Sequence, residues 1–308
     1  MRRSSDQSGL VSVYVGGGKK MRGYAELSGQ TGRTRMQRPG RFLAATLLPL
    51  GLACASSARA ELSATELAKL AQNPVANLIS VPFQNNTNFN YGPENGTQNI
   101  LNIQPVIPIT INSDWNLITR TIMPLIWQPE FVAGEGTEFG LGDIQLSGFV
   151  SPSEPGPRGL IWGAGAIVQM PTDTNERLGN KNWGLGPTAV VLKLEKGDPW
   201  VYGAIVNNVW SLTSDERGGA YNNFLLQPFV NYNLPGGTYI NTAPIITANW
   251  KAEGGQKWLV PLGIGVGHIF HLGKLPVNAQ IGGYYNVVRP DDGPEWQLRA
   301  QVQVMFPK

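Results

Sequence analysis

One cysteine and two histidines among 308 residues leave little material for metal or redox chemistry. The cysteine, Cys54, falls in a leader segment described below, so the mature chain carries no disulfide framework. That is permissible in an oxidising compartment when a sheet supplies the stability. The histidines, His268 and His271, form H-x-x-H. On a strand, residues three apart face opposite sides, and no third ligand completes a site, so neither a metal nor a cofactor is expected. Charge is sparse at 15% of residues. Beyond residue 60 there are fourteen Lys or Arg against nineteen acids, a net charge of 14 − 19 = −5. No basic patch survives there, which argues against nucleic acid as a partner. Also missing is any apolar run of the roughly twenty residues that a membrane-spanning helix needs.

The first sixty residues are different, with ten Lys or Arg and two acids. Arg38 and Arg41 precede the apolar run Phe42 to Leu52, and Ala58-Arg59-Ala60 follows as a small-x-small exit. That order is a secretory signal peptide over 36–60, cleaved near Ala60. Residues 1–35 read as an upstream extension, non-native or disordered, and their VGGGKK lacks the spacing of a phosphate loop. A lipoprotein signal ending at Cys54 fits less well, because its leucine would stand one position before Leu52.

Segment 61–77 is expected to hold a short periplasmic helix and a linker. Ser63 can cap the helix, Glu66 can return the bond, and Leu62 can staple to Leu67. Asn73-Pro74 should stop it after about Gln72. A helix this short needs something to pack on. The preferred expectation is a cap on the end of a sheet, and the other is a plug entering a lumen.

From Leu78 onward strand-length runs alternate with clusters of Gly, Pro, Asn and Asp. About twelve runs are predicted: 78–91, 98–111, 115–128, 139–150, 159–171, 183–195, 200–211, 221–234, 238–250, 257–272, 275–289 and 295–306. Nearly all reach the roughly ten residues that a tilted strand needs to cross a bilayer. Short turns such as Pro235-Gly236-Gly237 and Gly273-Lys274 alternate with longer polar loops such as 129–138 and 172–182. The last run is the clearest. Trp296, Leu298, Ala300, Val302, Val304 and Phe306 share one face, and Gln297, Arg299, Gln301 and Gln303 share the other. Most of the nine tryptophans sit at strand ends, where a membrane interface places indoles. The fold class is therefore all-β: a transmembrane, antiparallel, up-and-down β-barrel of about twelve strands over 78–308, in the bacterial outer membrane.

In such a barrel the wet parity of each strand lines the lumen. It comprises Asn102, Gln104, Arg120, Asp143, Gln145, Gln169, Lys193, Asn223, Gln227, Asn231, Asn241, Asn278, Gln280, Arg299 and Gln301. Arg120 and Asp143, from adjacent strands, are expected to pair. Runs 200–211 and 257–272 are apolar on both faces, which leaves their registers open. Phe306, near the C-terminus, serves as the candidate barrel-assembly signal.

The stretches NPVANLISVPFQNN, LNIQPVIPI followed by DWNLITRTIMPL, FGLGDIQLSGFVSP and the terminal FPK resemble a bacterial family over about residues 64–308. These are the outer-membrane proteins of the phenol meta-degradation pathway, often labelled "transporter" or "neuromedin U". The resemblance implies a β-barrel that passes small, aromatic or hydrophobic molecules.

Three functions remain in play. A passive channel would conduct solutes along an Asn/Gln-lined lumen. A closed barrel would serve envelope structure or adhesion through its outer loops. A barrel hydrolase would need a nucleophile beside an oriented base. Ser147 and Asp143 lie towards one end of their strand and His271 at the other end of its own, so no enzyme is expected. The implied partners are outer-membrane lipid, the secretion and barrel-assembly machinery, and a small-molecule solute.

Overall fold

The computed structural model describes residues 62–213 and 219–307. The signal peptide, its cleavage site and the upstream extension lie outside the described residues. One helix, α1 (Ala64–Ala71), precedes fifteen strand segments. In chain order they are β1 (Ile79–Tyr91), β2 (Gly96–Ile103), β3 (Val106–Thr110), β4 (Trp115–Gln128), β5 (Glu138–Leu141), β6 (Ile144–Pro152), β7 (Leu160–Met170) and β8 (Gly184–Leu194). They continue as β9 (Trp200–Ser211), β10 (Asn222–Asn233), β11 (Thr238–Thr242), β12 (Ile246–Asn249), β13 (Trp258–Leu272), β14 (Leu275–Val288) and β15 (Trp296–Phe306).

Three pairs of segments are single strands with a break. β2 and β3 are interrupted at Gln104-Pro105, β5 and β6 at Gly142-Asp143, and β11 and β12 at Ala243-Pro244-Ile245. Pro105 and Pro244 cannot donate to the ladder, so two of the breaks fall where the sequence removes an N–H. Counted this way there are twelve antiparallel strands, each bonded to its neighbours. β1 pairs with β15 from Ile79↔Phe306 to Phe89↔Trp296 and closes the sheet on itself. The result is an all-β transmembrane barrel. Among the described residues no helix is long and apolar enough to cross a membrane.

Alternation sorts side chains between the two surfaces. On β13, Leu262 is 58% and Ile264 65% exposed, and both face outward with Ile281 of β14. Leaving such side chains in water would forfeit about 1.5–3 kcal/mol each. A surface tiled with them is a lipid-facing belt. Aromatic pairs mark both of its rims. Trp127–Phe139, Trp250–Trp258 and Tyr285–Trp296, with ring centroids 4.5, 5.3 and 4.6 Å apart, lie at the end bearing the longer loops. Trp115–Trp162 and Trp200–Tyr232 lie at the other, at 5.9 and 4.7 Å. That second end also carries α1 and the tight turns at Pro235-Gly236-Gly237 and Gly273-Lys274, where Gly236, Gly237 and Gly273 take positive φ.

Candidate functional site

The inward parity builds a lumen with two unlike walls. β1, β2, β14 and β15 supply the first. Gln84, Asn86 and Asn88 of β1 stand opposite Gln301, Arg299 and Gln297 of β15, and opposite Asn102, Ile100 and Gln98 of β2. Their amides bond to one another. Gln297 Nε2 donates to Asn88 Oδ1 at 2.9 Å, Asn88 Nδ2 to Gln98 Oε1 at 2.8 Å, and Gln98 Nε2 to Gln128 Oε1 at 2.7 Å. Amides carry both donors and acceptors, so such a wall can satisfy itself without water.

β4 and β6 to β10 supply the second wall. Ile118, Phe149, Val190, Leu192, Val201, Ile205 and Phe229 form one buried apolar cluster facing inward. Two of these strands, β4 and β9, carry apolar side chains on both faces, the outer set for lipid and the inner set for this cluster.

The N-terminal segment lies inside the barrel against both walls. The capping box of α1 forms as its sequence predicts: Glu66 N donates to Ser63 Oγ at 3.2 Å, and Ser63 N to Glu66 Oε2 at 3.0 Å. The Ser63 backbone N–H and its Oγ, which donates to Glu66 Oε2 at 2.8 Å, hold the Glu66 carboxyl below its ordinary range. Leu62 stays 39% exposed, whereas Leu67 and Ala68 are buried against the inward-facing Tyr239, Ile269 and Met305. Lys69 Nζ donates to the Glu195 carbonyl at 3.0 Å, and Gln72 exchanges two hydrogen bonds with Asn233 at 2.8 and 3.0 Å. Further along, Val75 joins the apolar cluster. Of the two expectations for this segment, the packing is that of a plug and not of an external cap. An amphipathic helix of this length finds more apolar surface inside the rim than on it.

Above the plug is a cavity of about 150 Å³. Gln104, Arg120, Gln227, Asn231, Asn241, Asn278, Gln280, Arg299 and Gln301, all expected in the lumen, line it. Asn102, Gln169 and Asn223 also face inward, by their register against Gln84, Gln145 and Val209, and Gln145 does so by sharing the parity of Ser147, which pairs with Arg120. Gln145 Nε2 donates to Gln169 Oε1 at 3.0 Å.

Arg299 is 2% exposed. Its Nε donates to Asn86 Oδ1 at 3.0 Å, its Nη1 to the Ala243 carbonyl at 2.7 Å and its Nη2 to Gln297 Oε1 at 3.0 Å. Its guanidinium carbon lies 4.6 Å from the centroid of the Tyr284 ring. Arg120 Nη2 donates to Gln104 Oε1 at 2.5 Å.

Two expectations need correction. Lys193 does not line the lumen: it stands beside Leu160 and Tyr202 on the outer face, next to the turn that follows β8. There its Nζ lies 3.0 Å from Glu195 and 3.3 Å from Asp198. The rule that polar side chains point inward fails at this level because the plug fills the lumen and Leu192 takes the inward place. The second concerns Arg120 and Asp143, which do not pair. Asp143 sits in the β5–β6 break, nearer the long-loop end. Its Oδ2 accepts from the Asn180 backbone N–H at 2.8 Å and from Gln169 Nε2 at 3.1 Å. Asp143 therefore anchors loop 171–183, which folds inward. Arg177 of that loop donates to the carbonyls of Gly136 and Pro129, at 3.0 Å each, tying it to loop 129–137.

His268 faces outward, its Nδ1 2.8 Å from Thr238 Oγ1. His271 lies beside the Gly273-Lys274 turn at the plug end, and Ser147 faces Arg120 across the β4–β6 ladder. The structure does not bring these residues together. Phe306 stands on the lipid face, paired with Ile79.

No family model and no curated protein matches the chain. Among solved structures, an outer membrane channel from Pseudomonas putida F1 matches with a TM-score of 0.57 and 16% identity, covering 74% of this chain and 94% of that one. The NanC porin gives a TM-score of 0.46 at 10% identity, over 75% of this chain and 100% of that one. Outer membrane phospholipase A from Escherichia coli gives 0.42 at 12% identity, over 80% and 99%. The first of these likenesses shows a shared fold.

Proposed function

We propose that the chain is a bacterial outer-membrane channel through which small solutes pass passively along the lumen. The observation that carries this reading is the cavity midway along the barrel, bounded by side chains and closed below by a non-covalent plug. A barrel with no transport role gains nothing from leaving this space unfilled. The P. putida protein with the same fold is described as a channel, which agrees with this reading. The lumen-facing amides set a weakly charge-selective path, and the apolar wall favours solutes with an apolar body, in keeping with the family resemblance. In this reading the plug end faces the periplasm, the long loops face outward, and Phe306 is the handle for barrel assembly.

Residues 62–77 are the element that regulates passage. Only side-chain packing and a few hydrogen bonds hold them, so partial withdrawal would open the lumen without disturbing the sheet. The test is planar-bilayer recording on mature protein and on a variant lacking 62–77. The expected result is small, fluctuating conductance in the first and a severalfold larger, steadier conductance in the second. The burial of Leu67 and Ala68 also favours a second reading, a permanently closed envelope barrel. That reading prevails if both proteins, correctly folded, fail to conduct and fail to pass solutes into liposomes.

A further inference from the structure

Both arginines that line the mid-lumen cavity lack a counter-charge. No carboxylate among the described residues lies within ion-pair distance of Arg120 or Arg299, and no acid is among the residues lining the cavity. A guanidinium has five N–H donors. Three of those on Arg299 are committed, to Asn86, Ala243 and Gln297. Arg120 commits one, to Gln104. Two cations held in a desolvated space without an anion are costly unless something anionic shares the space.

The remainder of the cavity narrows the choice. Asn241 is 4% exposed, and its Oδ1 has no hydrogen-bond partner. Its carbonyl oxygen can accept a proton donor on a ligand but repels a bare anion, so the anionic end belongs with the arginines. Ile205 and Phe229 also line the cavity and offer an apolar bed, with Val106 beside Arg120 in the ladder. A cavity of about 150 Å³ is the size in which an engineered apolar site holds benzene.

We infer that this cavity is a binding site for a small organic monocarboxylate. The carboxylate bonds to the free N–H donors of Arg120, with Arg299 supplying charge from behind its amide and backbone ligands. An apolar body of up to about one ring rests on Ile205 and Phe229. The Arg120 guanidinium suits a planar carboxylate better than a spherical ion, because its fork geometry allows paired N–H···O bonds. A dianion the size of phosphate would find no apolar partner and would leave Ile205 and Phe229 against charge.

The inference rests on the channel reading for its physiological meaning, but its test is a binding measurement that needs no conduction. Benzoate is titrated calorimetrically into the folded, detergent-solubilised full-length mature barrel, with benzyl alcohol as the neutral analogue of similar size and inorganic phosphate as an anion without a ring. Saturable benzoate binding, with benzyl alcohol and phosphate each at least about tenfold weaker, is expected from losing a charge-assisted bond or the apolar bed. Arg120→Gln should weaken benzoate by at least about tenfold, Arg120→Lys by less, and Arg289→Gln in an outer loop not at all. Arg120→Gln keeps volume and a hydrogen-bond donor, and an unchanged thermal unfolding transition shows that the barrel is intact. If Arg120→Gln does not fold, the comparison of benzoate with benzyl alcohol on the unaltered protein decides. Equal binding of the two, phosphate binding as tightly as benzoate, or no saturable binding overturns the inference. Conductance without benzoate binding would sink this site and leave the channel standing. Binding without conductance would do the reverse.

Discussion

The two walls of the lumen solve the same problem by opposite means. The amide wall of β1, β2, β14 and β15 is polar yet largely buried: Asn86 is 6% and Gln303 6% exposed. Its stability comes from side chains that bond to one another, as in the relay from Gln297 through Asn88 and Gln98 to Gln128. The apolar wall of β4 and β6 to β10 needs no such matching and holds by volume. A wall held by bonds has geometry, and can therefore be selective. A wall held by packing tolerates different neighbours, and so can receive both the plug and an apolar ligand body.

Substitutions that exchange these roles sharpen the contrast. Phe149→Ala should have the largest effect, about 3–5 kcal/mol from the lost side chain and the void it leaves. Denaturant unfolding in detergent or lipid measures it, and a change under 1 kcal/mol would mean that the apolar wall is not packed. Placing a charge on the lipid side tests the outer belt instead. Ile264→Arg should cost about 2–4 kcal/mol if this position lies near the bilayer midplane, by the same unfolding assay run in lipid. In the amide wall, Arg299→Gln strands Asn86 and Gln297 and should cost about 1.5–3 kcal/mol. A double-mutant cycle with Asn86→Ala should show strong coupling, and additive effects would break the picture of a bonded wall.

The smallest effect belongs to the plug. Glu66 has its folded pKa depressed by the bonds to Ser63. Its contribution is therefore present above the unfolded glutamate pKa and lost as pH falls through the lower folded value. Amide exchange in residues 64–72 should speed up in that acid window and not at neutral pH. Glu66→Gln, which keeps an acceptor, should remove most of the pH dependence. If exchange in this segment is flat across the window, the capping box does not hold the plug.

Much of the barrel was legible in the sequence because its rules are local. Trp115–Gln128 and Trp200–Ser211 begin and end where the turn residues that flank them say they should. Proline alone did not locate the interruptions: strands break at Pro105 and Pro244 but run unbroken through Pro82, Pro108, Pro124, Pro228, Pro261 and Pro276. Parity places Gln104, Arg120, Asn231 and Arg299 on the inward face, where they line the cavity. Lys193 was misplaced, since nothing near Leu192 in sequence reveals that residues over a hundred positions away fill the space. The runs with two apolar faces were the available signal: an inward apolar set means that something packs on it. The Arg120–Asp143 pairing failed for a related reason. Adjacent strands fix lateral neighbours, but the break at Gly142-Asp143 shifts Asp143 into the orbit of loop 171–183.

The interruption at Ala243-Pro244-Ile245 carries a consequence of its own. There the sheet releases a main-chain carbonyl from its lateral duty and turns it radially, so that the Ala243 oxygen grips Arg299 at 2.7 Å. One of the shortest contacts of Arg299 is thus written in no side chain. An alanine scan would pass over it, and nearly any residue at 243 would preserve it. What protects it is the length of the interruption. Changing that length would move the Ala243 carbonyl relative to Arg299.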